Sequence, residues 1–226
     1  MTFALITEGV SEYNIIKNIV AKYFKDQDPS FTPVQPKIIS DKQENNGGWN
    51  EVLKYCERDE LSDILTENDY LIIQIDTDLS QTAPFNISHT KIDAETGNNS
   101  NKTAEELHKD VQEKLLSLIK PEILNTKGNR IIFAICIHTI ECWLLPIYYT
   151  NNHRSDVTTC IQTLNNQLRR ENIKTLPITG KNSPQSILVY QTILGSWKKK
   201  KNILDSAQYN HGFTSFIESL EKIEVN

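Results

Sequence analysis

Five carboxylates stand where a chain could use them for chemistry. Glu8 and Glu12 lie one helical turn apart in FALITEGVSEYNIIKNIV (residues 3–20). Asp76 and Asp78 close the run YLIIQIDTD (residues 70–78) as D-T-D, and Glu141 follows RIIFAICI within IHTIECWLLP. Glu8, the D-T-D pair and Glu141 each come just after an apolar run. On an extended chain, residues two apart point to one side, so D-x-D presents two carboxylates together. Close carboxylates repel, and one of them ordinarily takes up a proton unless a cation is bound. Oxygen-only ligation suits Mg2+ or Mn2+, which keep several waters and need few protein ligands. Glu8 and Glu12 alone would also serve a helix N-terminus. The joint pattern, with acids after three strands, favours a metal site.

Those strands must be placed by the rest of the chain. Residues 3–7 form a short apolar run suited to a strand buried on both faces. From Ser11, read as an N-cap, Tyr13, Ile16, Ile19, Val20 and Phe24 recur at helical spacing. Residues 34–40, around Pro36, suit an edge strand. Gly47 and Gly48 precede a helix over residues 49–65. YLIIQI (residues 70–75) and RIIFAICI (residues 130–137) are the strongest strands. Residues 77–102 are polar and read as a mobile loop or a small insertion over the site. Thr103 and Glu106 form a capping-box pattern at the start of a helix over residues 103–118. Residues 139–149 read as a buried helix with Trp143, Leu144 and Leu145 in the core. The alternation predicts an α/β fold, Rossmann-like, with about four mainly parallel strands flanked by helices. Residues 1–150 would form that domain, and residues 151–226 a helical C-terminal extension packed on it. In such sheets the functional crevice lies beyond the carboxyl ends of the strands, where the acids fall.

Composition limits what the chain can do. It has 226 residues, 38% of them hydrophobic, and a net charge of −5. A surface coated with basic charge for nucleic acid is excluded, so any such contact is local or carried by bound cations. Lys198 to Lys201 is one local basic run, read as a helix C-terminus with Trp197 near enough to stack on a base. Cys56, Cys136, Cys142 and Cys160 show no paired C-x-x-C spacing, which argues against a zinc site. With no signal peptide, the thiols are expected to be reduced and the chain cytoplasmic. No segment has the length and apolarity of a membrane helix. His138, three residues before Glu141, reads as an orienting or capping histidine.

LITEGVSE, followed some seventy residues on by LIIQIDTDL, resembles the toprim domain. The likeness is greatest to its OLD-like branch, whose first strand ends in E-G-x-S-E. IHTIECWLLP resembles the H-x-I-E-x-W-L-L segment of small stand-alone toprim proteins found beside ATPases in bacterial antiviral defence loci. The match covers residues 3–150. It implies a Mg2+- or Mn2+-dependent nuclease acting on DNA or RNA. Glu8, Asp76 and Asp78 would form the acidic core, as metal ligands and catalytic groups. Glu12 and Glu141 would be auxiliary ligands, and Lys181 in TGKNSP would stabilise transition-state charge. The chain lacks G-x-x-x-x-G-K-[ST], so an ATPase partner would be a separate protein. Two other readings stay open. One is a toprim-fold binding or regulatory subunit docked on an ATPase, with hydrolysis latent or absent. The other is a receiver-like regulator phosphorylated on Asp76.

Overall fold

The computed structural model describes residues 1–39, 42–93, 97–178 and 183–224. β1 (Thr2–Ile6) leads into α1 (Val10–Tyr23), and β2 (Ser30–Gln35) follows. A small ribbon, β3 (Ile38–Ile39) with β4 (Lys42–Gln43), precedes α2 (Trp49–Cys56) and α3 (Glu60–Glu67). After β5 (Tyr70–Asp76) comes an antiparallel pair, β6 (Thr90–Ile92) and β7 (Asn99–Asn101). Then come α4 (Ala104–Leu118), α5 (Pro121–Lys127) and β8 (Ile131–Cys136). A 3-10 helix, Ile140–Ile147, follows β8, and the tail carries α6 (Cys160–Arg170), α7 (Pro184–Leu194), α8 (Lys200–Ala207) and α9 (His211–Glu221).

The fold is α/β and Rossmann-like, as expected. Its central sheet has the order β2-β1-β5-β8, with every pairing parallel. The pleat divides the inner strands between two apolar layers. Phe3, Leu5, Ile72, Ile132 and Ala134 face a core shared with α1, the 3-10 helix and the C-terminal helices. Ala4, Ile6, Leu71, Ile73, Ile75 and Ile135 face a second core under α2, α3, α4 and α5. Burial on both faces is why these strands read as unbroken apolar runs. The tail helices pack against the sheet: Trp143 lies over Phe213 with ring centroids 4.5 Å apart, and α9 packs on β8.

Several local expectations are corrected. The edge strand lies earlier than expected, at Ser30–Gln35, with Pro33 rather than Pro36 inside it. The helix over residues 49–65 is two helices, with Asp59 at the N-cap position of the second. α1 begins after Gly9, so Ser11 is a buried residue of its first turn and not its cap. Residues 140–147 wind as a 3-10 helix. Pro146 has no N–H to give, and its ring would clash with the carbonyl four residues back in an α-helix. Of the two readings of the polar segment after Asp76, the small insertion is the one seen, and it carries its own hairpin. It is anchored by buried Phe85 against Trp49, with ring centroids 5.9 Å apart, and by Ser80 and Ile87, which bond to each other. The lysine run opens α8 instead of closing a helix, so the expected dipole match is absent. Trp197 is 2% exposed and donates from Nε1 to Ser206 Oγ at 3.0 Å, so it offers no face for stacking. The capping box at Thr103 and Glu106 is present as expected.

Cys142 and Cys160 form a disulfide across 18 residues, with Cα atoms 5.0 Å apart. The expectation of four reduced thiols therefore holds only for Cys56 and Cys136, both buried. The 3-10 helix brings Cys142 against the first residue of α6, a contact that cysteine spacing alone does not reveal. Closing a loop of this size restricts the unfolded chain by about 3 kcal/mol. Cys160→Ser is expected to destabilise by about that amount, as is reduction of the wild type. Denaturant melts of both against the oxidised chain check this, and superposed curves would refute it.

His108 gives a pH dependence. It is 5% exposed, sits edge-on to His211 at 5.1 Å, and its Nε2 has no hydrogen-bond partner among the described residues. Burial, and then the neighbouring His211, lower its pKa from 6.5 to about 4. The fold therefore prefers neutral His108, while the unfolded chain binds the proton. Stability from this residue is complete above pH 6.5 and is lost as pH falls toward 4. His108→Leu should remove that share of the acid sensitivity between those limits. An identical pH profile of melting temperature in the variant would contradict it.

Candidate active site

The site begins with strand register. Ile6 of β1 lies opposite Ile73 of β5, so two residues on Glu8 leaves the sheet beside Asp76. Glu8 Oε1 accepts the backbone N–H of Asp76 at 2.6 Å. Gln74 completes the link from inside β5, fully buried. Its Oε1 accepts the Glu8 N–H at 3.2 Å, and its Nε2 donates to Asp76 Oδ1 at 2.9 Å. One amide thus orients both acidic residues.

The turn after β1 is held from outside by the glycines before α2. Gly48 N–H donates to the Glu8 carbonyl at 2.7 Å, with Gly48 at φ 100. A Cβ on Gly47 would stand 2.3 Å from that same carbonyl oxygen. Both glycines are therefore needed for this approach.

The ends of β5 and β8 are clasped together. Thr77 N–H is shared between the carbonyls of Cys136 and His138, at 3.0 and 2.9 Å, and Asp78 N–H donates to the His138 carbonyl at 3.1 Å. In return His138 N–H donates to Thr77 Oγ1 at 2.8 Å, and Ile140 N–H to Asp76 Oδ1 at 3.1 Å. His138 adopts φ 61, an uncommon conformation for a residue with a side chain. The clasp turns the chain so that Glu141, next after Ile140, is fully buried. Tyr190 of α7 meets it there, donating its hydroxyl to Glu141 Oε1 at 2.5 Å.

Electrostatics tie the acids into one group. Burial raises the Tyr190 hydroxyl well above its usual pKa, followed by the charges of Glu141, Glu12 and Asp76. Burial also raises the Cys136 thiol, with Asp76, Glu8 and Glu141 adding to it. Tyr190 is therefore a fixed hydroxyl donor and Cys136 an inert core thiol. Asp76 and Glu12 are each only 5% exposed.

The structure thus brings Glu8, Glu12, Asp76 and Glu141 into one neighbourhood. Asp78 is placed differently from expectation. The strand ends at Asp76 and the chain turns, so the two aspartates do not share an extended stretch. Asp78 is exposed, its charge acts on His138, and it lines a cavity of about 350 Å3 with Glu141 and His138. The His138 imidazole does not cap the 3-10 helix, which has Thr139 at its N-cap. Lys181 lies outside the described residues. Gln74, His89 and Tyr190 were not singled out by the sequence. His89 Nε2 lies 2.8 Å from the Thr77 carbonyl and 3.0 Å from Ser80 Oγ. The one polar residue in YLIIQI was a usable signal for Gln74. Tyr190 carried none, because an aromatic on an apolar helix face reads as core.

Among the described residues, no three His, Cys, Asp or Glu side chains converge as a ready-made metal cluster. The donor set nonetheless suits one class of ion. It is made of carboxylates at the ends of strands, and Mg2+ binds through one or two carboxylates while keeping its waters. Glu8 and Asp76 are such a pair. No helix among the described residues is long and apolar enough to cross a membrane. Comparison with protein-family models, curated proteins and solved structures gives no match.

Proposed function

We propose that this chain hydrolyses phosphodiester bonds of nucleic acid, DNA or RNA, with Mg2+ or Mn2+. The observation that carries the reading is the Glu8–Asp76 pair, oriented by Gln74, with Glu12 and Glu141 buried beside it. Like charges gathered at the ends of neighbouring strands favour either a shared proton or a cation. The toprim resemblance of EGVSE and DTD supports the cation. Glu8 and Asp76 would hold the ion, and Asp78 would join from the cavity side when substrate enters. A bound divalent ion supplies a polarised phosphate and a water of lowered pKa. Tyr190 keeps Glu141 in place by its hydrogen bond, and Glu8 would accept the proton of the attacking water. The net negative charge of the chain makes the ion the means by which phosphate approaches.

Incubation of the purified chain with labelled DNA and RNA tests this, with Mg2+, Mn2+ or EDTA present. Cleavage with either metal and none with EDTA is expected; metal-independent cleavage, or none of any strand, sinks it. The same resemblance extends the proposal to an effector of bacterial antiviral defence that works with a separate ATPase. Co-purification of such an ATPase would support that extension, and its consistent absence would remove it.

A further inference from the structure

The cavity lined by Asp78 and Glu141 has a neighbour. Beside the 350 Å3 cavity of Asp78 and Glu141 lies a second, of about 300 Å3, lined by His89, Asn101, Lys102, Thr103, Ala104 and Leu107. His138, Val157 and Thr158 line both. The two are therefore one trough with a shared wall, running from the strand ends to the start of α4. Each compartment is at the small end of ligand pockets, which run to ~300–1,000 Å3. We infer that this trough holds two successive residues of an unpaired nucleic-acid strand, one beside Asp78 and Glu141 and the next in the second cavity.

The chemistry of the walls supports that occupant. The first compartment offers apolar surface from Ile161 and Ile178 beside the carboxylates of Asp78 and Glu141, room for a base. The second offers donors, Asn101 and Lys102, together with imidazole faces. His89 and His138 stand edge to face with ring centroids 5.4 Å apart at the boundary. Bases of unpaired strands stack on such rings, and amides or ammonium groups take the sugar and phosphate. Lys102 is paired with Asp110, which fixes its side chain at the rim. His89 is held by Thr77 and Ser80, so the hairpin insertion after Asp76 is what builds the second compartment. A small compartment admits nucleotides one at a time, which a paired duplex cannot supply.

The inference rests on the proposed hydrolysis for its substrate class, but binding can be measured without reaction. Ala104→Trp fills the second compartment from the first residue of α4, and Thr158→Trp obstructs the shared wall from an exposed position. Fluorescence anisotropy with labelled oligo-dT and oligo-U, in EDTA and in Mg2+, reads the effect. Both variants should melt like wild type and weaken binding about tenfold, the loss of one stacked base. Hydrolysis of bis(p-nitrophenyl) phosphate, too small to reach the second compartment, should be unchanged in Ala104→Trp, because Ala104 lines that compartment alone. Comparison of oligo-dT with oligo-U shows whether the trough selects DNA or RNA. Unaltered affinity in Thr158→Trp, or wild type that binds neither strand, overturns the inference. Strand binding that weakens as expected in a chain that hydrolyses neither substrate keeps the trough and removes the hydrolysis.

Discussion

Asp76→Asn is expected to lower phosphodiester cleavage by about 1,000-fold or more, with little loss of melting temperature. Asp76 Oδ1 accepts two hydrogen bonds, from Gln74 Nε2 and from the N–H of Ile140. Asparagine keeps an Oδ1 that can accept both, so the clasp between the ends of β5 and β8 survives. What is lost is the charge, and with it the grip on a cation. Asp76→Ala serves as the contrast. It leaves the buried Ile140 N–H without its acceptor, at a cost of about 1–3 kcal/mol. Melting curves without metal, beside cleavage rates with Mg2+, separate the two effects. Cleavage at the wild-type rate in Asp76→Asn would remove Asp76 from the chemistry. A collapse of its melting temperature would make the residue structural.

The second large effect is an asymmetry between Glu8 and Glu12. If both served only the start of α1, each change to Gln would cost about 0.3–1 kcal/mol of stability and leave cleavage alone. The geometry separates them. Glu8 leaves the sheet at Asp76 and bonds its backbone through Oε1, an acceptor that glutamine retains. Glu12 has already entered the helix and is buried toward Tyr190. Glu8→Gln should therefore keep its melting temperature and lose cleavage about 100-fold or more, while Glu12→Gln loses less. Single-turnover rates at saturating Mg2+ and at limiting Mg2+ measure both. Equal losses in the two variants would contradict the assignment of Glu8 to the reacting centre.

How far such residues are legible from sequence depends on what positions them. β1, β5 and β8 are buried on both faces, so their apolar runs are unbroken and their carboxyl ends mark the crevice. β2 is an edge strand in which apolar and polar residues mix, SFTPVQ, and that mixture hid its start. The 3-10 winding after β8 turns on Pro146, whose effect on a short apolar stretch is easy to miss. Glu8, Asp76 and Glu141 are legible because a carboxylate at a strand end stands out. Tyr190 is not, since it lies 49 residues beyond Glu141 and meets it only through packing of α7. The disulfide from Cys142 to Cys160 is hidden for the same reason. Asp78 shows the limit of a spacing rule: D-x-D shares one side only while the strand continues, and here it stops at Asp76.

Manganese binding followed by electron paramagnetic resonance tests the central claim most directly, because it needs neither substrate nor partner. Titrated with Mn2+, the wild-type chain should remove the signal of the aqueous ion at one or two sites, and Mg2+ should compete for them. Asp76→Asn and Glu8→Gln, each folded by its melting curve, should lose at least the tighter site. Equal Mn2+ binding in wild type and both variants, or none in wild type, would contradict a cation held between β1 and β5.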